Sequence, residues 1–369
     1  MAVSLEAGPL TKRWEALLAR LPSEARGRSL AAAQVIRLPA NVPPWTDTGM
    51  RFAKGDEVTI LAEGRAIVST EMGLSSRPRY ALWARLGRRG PVWTGTRDTQ
   101  SFRCDRDGML ELAIYNGEWK SPDGVLGTPL EAYAGLSGEI EALVLHWRGE
   151  ARDGLEALQR LAPGEPLIAA ELARMANPAV RPAGWNYLWF LGQSETFRTL
   201  RPRDAAPCIG CLTEDDVAIL RRPVSLPLGP DTEASWRWRV SALPSSKPED
   251  TLLCHDYLSV AVEFDNGLDL SWFWSSGLPL DTHFACPIPQ WNPRETHLVV
   301  RTGGEGLGQW QSERRNVFAD YSRAIGTPPA RIVAVWLIAV SLFQHGRGEA
   351  EFADITLTSN GERVELIGR

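Results

Sequence analysis

The stretch DYLSVAVEFDNGLDLSWFWSSG, residues 256–277, decides how the second half of the chain is read. Two runs rich in β-branched and aromatic residues flank Asn266-Gly267, the dipeptide best suited to a type I′ reversal, in which both central residues take positive φ. Read as a two-residue loop, it sets Ala261 opposite Trp272 and Ser259 opposite Trp274, and strand alternation sorts the side chains into two faces. One face holds Leu258, Val260, Val262, Phe264 and Phe273, the composition of a core. The other holds Tyr257, Ser259, Ala261, Glu263, Leu270, Trp272 and Trp274, with both indoles opposite small residues.

Apolar walls with a few convergent polar groups describe a small-molecule site, and indole faces beside a carboxylate suit a sugar ring or a flat apolar ligand. The pattern predicts a ligand face lined by Trp272, Trp274, Tyr257 and Glu263. A second reading stays open, in which the tryptophans pack beneath helices or against the first half of the chain and Glu263 pairs with an arginine. Trp185 and Trp189, with Tyr187 between them, share one face if GWNYLWFLG is extended; they add to the aromatic surface or fill a core thin in aliphatic residues.

The whole chain supports a folded, globular reading. With 369 residues it is long enough for two cores, and 44% apolar against 23% charged residues is not the composition of a disordered chain. A formal net charge of −5 and the absence of a dense basic block argue against a nucleic-acid partner. The N-terminus places Leu10, Trp14, Leu17, Leu18 and Leu21 at helical spacing before Pro22, and lacks the apolar core and cleavage site of a secretory signal. The longest apolar run, IVAVWLIAVSLF at 332–343, is shorter than the roughly 20 residues a membrane helix needs. Five cysteines, an odd number, argue against a disulfide framework. These features predict a cytoplasmic protein without a membrane partner.

Short strand-like runs such as VTILAEG, YALWARLG and LELAIYNG alternate with turn clusters from 35 to 148, the spacing of a β-sandwich. Helical periodicity takes over between 152 and 176 around Pro163-Gly164. Strand signals return in SWRWRVSAL, DYLSVAVEF, LDLSWFW, THLVVRTG, RIVAVWLIAV and AEFADITL.

Two segments resemble known families. VPPWTDTGMRFAKGDEVTILAEG, residues 42–64, is similar through Trp45, Asp47, Thr48, Gly49, Gly55 and Gly64 to the galactose-binding-type sandwich of calcium-dependent bacterial lectins. In that family a later loop supplies Asp and Asn oxygens to a calcium ion that contacts the sugar. The matching YNGEWKSPDG, residues 115–124, keeps Asn116 and Asp123 but has Gly117 and Gly124 at two ligand positions, and calcium needs about six to eight oxygens. No calcium-dependent sugar binding is expected there. The second half, through SWRWRVSALP, GLGQWQSERRNVFADYSRAIGTPP and EFADITL, resembles a family of bacterial β-sandwich proteins without an assigned activity. It is more loosely similar to carbohydrate-binding modules in which a terminal Asp, here Asp354, sometimes holds a structural calcium.

The expected fold class is therefore all-β: two β-sandwiches of jelly-roll, galactose-binding-like type. An N-terminal helix occupies 1–30, the first sandwich 31–148, a short helical connector 149–184, and the second sandwich, with the ligand site, 185–369.

Other chemistry is thinner. Cys208 and Cys211 form a CxxC, and Cys254-His255 with HFAC at 283–286 offers further zinc-type ligands, but the second pair is scattered, so no metal and no cofactor are expected. His255, Asp256 and Tyr257 lie at the mouth of the hairpin, with Asp281 and His283 after its second strand. A lyase, hydratase or isomerase using His255, Asp256, Glu263 or His283 for acid–base work is the alternative function. Arg314 and Arg315 could clamp an anion or brace their loop through ion pairs. The leading expectation is a carbohydrate or other small apolar-faced ligand on the aromatic face.

Overall fold

The computed structural model describes residues 8–20, 29–94, 97–201 and 206–367. The chain divides into two compact units between Pro178 and Ala179, and each is a β-sandwich.

The first unit contains β1 (Leu30–Pro39), β2 (Trp45–Phe52), β3 (Glu57–Ser69), β4 (Leu74–Ser76), β5 (Leu82–Leu86), β6 (Thr99–Arg103), β7 (Gly108–Ile114) and β8 (Ser137–Trp147). One sheet runs β1-β8-β3-β4 with β6 also on β3, and the other runs β2-β7-β5. Inward residues of both, among them Val58, Ile60, Leu82, Leu110, Leu112 and Val144, form the core between them.

The outward face of the larger sheet is apolar as well, and helices cover it. Leu61, Leu143, Leu145 and Trp147 meet Leu10, Trp14 and Leu17 of the helix Pro9–Arg20 and Leu155, Leu158 and Ile168 of the helices Ala151–Leu161 and Pro166–Ala176. The two later helices thus belong to the first unit, where the sequence suggested a connector. Residues 1–7 and 21–28 of the expected N-terminal helix, Leu21 and Pro22 among them, lie outside the described residues. Buried Glu141 anchors the first helix by accepting the Leu10 N–H at 2.9 Å and the Thr11 hydroxyl at 2.7 Å, which satisfies donors that a helix start leaves open.

The second unit contains β9 (Asn186–Tyr187), β10 (Phe197–Leu200), β11 (Cys208–Glu214), β12 (Val217–Pro227), β13 (Glu233–Ala242), β14 (Tyr257–Phe264), β15 (Asp269–Ser275), β16 (His283–Ala285), β17 (Glu295–Thr302), β18 (Gln311–Asn316), β19 (Arg331–Val340), β20 (Arg347–Ser359) and β21 (Glu362–Glu365). One sheet is ordered β10-β11-β20-β13-β18 with β21 on β20; the other is β16-β17-β15-β14-β19-β12-β9. All pairings in the second sheet are antiparallel except β15 with β17.

The hairpin joining β14 to β15 differs from the expected two-residue form. Phe264 donates its N–H to the Leu268 carbonyl and Gly267 donates to the Phe264 carbonyl at 3.0 Å, so the loop holds three residues, 265–267. Of these only Gly267 has positive φ, at 80°, whereas a type I′ turn needs it at both central positions. The Asn266 side chain accepts the Leu268 N–H at 3.1 Å instead. One added residue reverses the parity of every later side chain: Val260, not Ala261, stands opposite Trp272.

Candidate functional site

The reversed parity places the SWFW indoles inside the sandwich. Trp272 is 0% and Trp274 1% exposed, in one core with Val260, Val262, Trp236 and Trp238. Their rings lie 5.4 Å from Trp236 and 5.8 Å from Trp238, respectively. Each indole N–H is satisfied internally, Trp272 by Asp320 at 3.0 Å and Trp274 by the Gly303 carbonyl at 2.9 Å. The expected aromatic ligand face is therefore the space between the sheets. Trp185 is also in that core and donates to the Leu366 carbonyl at 3.2 Å, while Trp189 is exposed, so they form no common surface.

Tyr257 and Glu263 lie on the opposite face of β14, away from the tryptophans. Glu263 accepts from Arg221 at 2.7 Å and from the Trp336 indole at 3.1 Å, the arginine pairing that the second reading allowed. Tyr257 is buried and donates to Glu295 at 3.0 Å.

The four acid–base candidates do not share an opening. The Asp256 carboxylate accepts the backbone N–H groups of Phe343 at 2.9 Å and Gln344 at 2.7 Å, and burial pushes its pKa up to about 6. His283 is exposed on the edge strand β16. Asp281 pairs with Arg315 and Arg323, and Arg315 also holds Asp320 at 2.7 Å. Arg314 pairs with Glu233, so the arginine pair braces its loop.

His255 has a different company. Its Nδ1 lies 2.7 Å from the Glu249 carbonyl, which makes Nδ1 the protonated nitrogen and leaves a lone pair on Nε2. Nε2 stands 3.4 Å from Cys286 Sγ. His297, on β17, packs its ring 4.6 Å from that of His255, and its Nε2 is 3.6 Å from Glu295 Oε1.

All of this is buried under the segment that carries Leu278, Phe284, Cys286, Ile288 and Trp291. Burial drives the pKa of His255 down to about 4 and that of His297 well below the usual range, pushes the Cys286 thiol up, and raises Glu295 to about 7. Asp269, beside Glu295 across the parallel β15–β17 pair, is raised by burial and by the Glu295 charge.

Sequence reasoning misses Glu295 and His297. Their signal lies in ETHLVV, where Glu295, Thr296 and His297 open a strand that continues in the apolar run Leu298, Val299 and Val300. Cys208 and Cys211 lie elsewhere, on β11, buried as free thiols.

One tryptophan of the second unit lies on the outer face of the other sheet. Trp310, immediately before β18, is 37% exposed, with the guanidinium carbons of Arg237 and Arg239 at 5.0 and 5.4 Å from its ring centroid. Arg237 pairs with Asp354 at 3.3 Å and Arg239 with Glu351 at 2.5 Å. Asp354 thus faces a guanidinium, in a left-handed conformation with φ of 52°.

In the first unit, the loop compared with the lectin calcium site holds an arginine. Arg85 donates to the Asp123 carbonyl at 2.8 Å and to Glu111 at 2.7 Å, and lies 4.0 Å over the Trp45 ring. Asn116 Oδ1 accepts from Ser76 at 2.6 Å, and the Asp123 side chain accepts from Ser121. Among the described residues, no helix is long and apolar enough to cross a membrane.

Residues 183–356 match the model of a family described as a protein of unknown function, DUF3047. No curated protein matches the chain. Among solved structures, the chain is similar to the EclA N-terminal domain, a PllA-like lectin, at 20% identity over 30% of this chain and 94% of that one, with a TM-score of 0.25. The xyloglucanase domain of NopAA from Sinorhizobium fredii, in complex with cellobiose, matches at 10% identity over 49% of this chain and 94% of that one, with a TM-score of 0.28. The tandem CBM22 domains of Paenibacillus barcinonensis Xyn10C match at 8% identity over 90% of this chain and 93% of theirs, with a TM-score of 0.25.

Proposed function

We propose that the second unit binds a carbohydrate on the outer face of its β10-β11-β20-β13-β18 sheet, with the Trp310 indole as the stacking platform. The observation that supports this most directly is the setting of that ring. It is exposed, and it lies across Arg237 and Arg239, which Asp354 and Glu351 hold in place.

A ring supported in this way loses little conformational freedom on binding. Sugars present apolar C–H faces and paired hydroxyls, which an indole and neighbouring guanidinium and carboxylate groups complement. The tryptophans first expected to do this are sealed in the core, and Trp189, though exposed, has an aromatic neighbour, Phe190, 5.8 Å away.

The test is isothermal titration of the full chain with a panel of soluble glucans, xylans and galactosides. Trp310→Ala should weaken any observed binding at least tenfold, about 1.4 kcal/mol, and Arg237→Ala to a smaller extent, while Trp189→Ala leaves it unchanged. No binding across the panel, or equal binding by Trp310→Ala, would overturn the reading.

A further inference from the structure

The buried group on the other sheet has the composition of a metal centre, and three of its members, His255, Cys286 and His297, have the spacing of one. We propose that His255, Cys286, His297 and Glu295 hold one zinc-class ion that clasps the segment following β15 to the sheet beneath it. This departs from the sequence expectation of no metal, and it is independent of the carbohydrate reading.

Three observations carry it. First, the donors are two imidazoles, one thiolate precursor and one carboxylate, a set suited to a borderline-soft, four-coordinate ion. With bonds of about 2.3 Å to sulfur and about 2.0–2.2 Å to nitrogen and oxygen, a tetrahedron has edges of about 3.4–3.6 Å. Cys286 Sγ stands 3.4 Å from His255 Nε2, and His297 Nε2 stands 3.6 Å from Glu295 Oε1. The ligand atoms of His255, Cys286 and His297 all lie within 4.8 Å of one another.

Second, His297 is fully buried, and neither of its ring nitrogens has a hydrogen-bond partner. A neutral imidazole offers one donor and one acceptor, and buried polar groups are ordinarily satisfied. A metal ion bound at Nε2 would satisfy the acceptor.

Third, the flanking bonds are those that orient ligands. His255 directs its Nδ1 to the Glu249 carbonyl, leaving Nε2 free toward Cys286, and Tyr257 donates to Glu295 Oε1. Outer contacts of this kind fix the tautomer of a ligating histidine and the direction of a ligating carboxylate.

The topology explains why so compact a group comes from scattered sequence. Cys286 follows β16 and donates its backbone N–H to the Glu295 carbonyl at 2.9 Å. Phe284 pairs with His297 in the β16–β17 ladder, and His255 leads into β14. Four protein ligands in a buried setting make a closed, structural site, with no open position for substrate.

The test uses the full chain purified from zinc-supplemented medium, with metal measured by inductively coupled plasma mass spectrometry. About one zinc per chain is expected. After exchange, cobalt should give thiolate charge-transfer and tetrahedral ligand-field absorption. Cys286→Ser and His297→Gln should each lower metal retention at least tenfold, whereas Cys211→Ser, a buried thiol outside the group, should retain it. Should the ligand variants fail to fold, the wild-type cobalt spectrum decides. Wild-type protein that is metal-free and gives only the hexa-aquo cobalt spectrum would overturn the proposal, as would undiminished metal in a folded Cys286→Ser/His297→Gln double variant.

Discussion

The Trp272 indole N–H reaches the Asp320 carboxylate at 3.0 Å, tying the middle of β15 to the helix Val317–Ala324. Asp320 is also gripped by Arg315, whose Nε and Nη2 lie 2.8 and 2.7 Å from its oxygens, so the carboxylate stays paired if the indole is lost. Trp272→Phe should therefore cost only the hydrogen bond and some volume, about 1 kcal/mol from the former. Trp272→Ala should cost about 3–5 kcal/mol by leaving a cavity. Urea unfolding of the two variants checks this, and ligand binding at Trp310 should be unaffected in Trp272→Phe. A ligand-lining Trp272 would give the reverse pattern, with little stability lost and binding abolished.

The turn that sets this register depends on one glycine. Gly267 has φ of 80°, and the space that a Cβ would occupy there has no heavy atom within 4 Å, so an added methyl group meets strain in the backbone and no clash. Gly267→Ala should destabilise by about 1 kcal/mol, and Gly267→Asn by less, since Asn tolerates the left-handed region. Asn266→Ala removes two bonds, to the Leu268 N–H and to the Tyr321 hydroxyl at 2.8 Å, and should cost about 1–2 kcal/mol. Thermal melts of the three variants rank these effects.

The strands of the second unit are legible in the sequence because their runs are long, apolar and bounded by turns. SWRWRVSAL, DYLSVAVEF, LDLSWFW, THLVVRTG, RIVAVWLIAV and AEFADITL fall on β13, β14, β15, β17, β19 and β20. Which face each aromatic occupies is not legible. Asn-Gly serves both a two-residue loop and a three-residue loop with a left-handed glycine, and the two differ by one residue of parity. Alternation in β15 sets Leu270, Trp272 and Trp274 on one face and Asp269, Ser271, Phe273 and Ser275 on the other, but all seven residues are buried, so polarity does not mark one face as the solvent side. His255 and Cys286 are visible as possible ligands, yet their meeting with His297 and Glu295 depends on a parallel β15–β17 pair and on the fold of a loop, neither of which leaves a local signature.

In the first unit, Gly154 marks a close approach of the helix Ala151–Leu161 to Trp147 of the sheet. A Cβ at that position would lie 2.3 Å from the Trp147 ring, and that ring is fixed by packing and by its indole bond to Thr59 at 2.8 Å. Gly154→Ala improves helix propensity by about 1 kcal/mol, but the overlap should outweigh it, with a net loss of about 1–3 kcal/mol. Denaturation followed by circular dichroism should show an earlier transition. A neutral or stabilising result would mean that the helix slides outward freely on Trp147.

The Arg85–Glu111 pair offers the sharpest separation of a charge from its surroundings. Both side chains are largely buried, at 11% and 9% exposure, and their atoms meet at 2.7 Å. Arg85 also supports the Trp45 ring and the Asp123 carbonyl, so its removal strands a carboxylate and loosens the 115–124 loop together. Arg85→Met alone should cost about 3–5 kcal/mol, because an uncompensated buried charge is far more expensive than an absent pair. Arg85→Met/Glu111→Leu should recover most of that loss, leaving the part due to the Trp45 and Asp123 contacts. A double-mutant cycle by chemical denaturation measures the difference: near-additive single effects would show that solvent reaches Glu111 freely, and strong non-additivity would show that the pair acts as one buried unit.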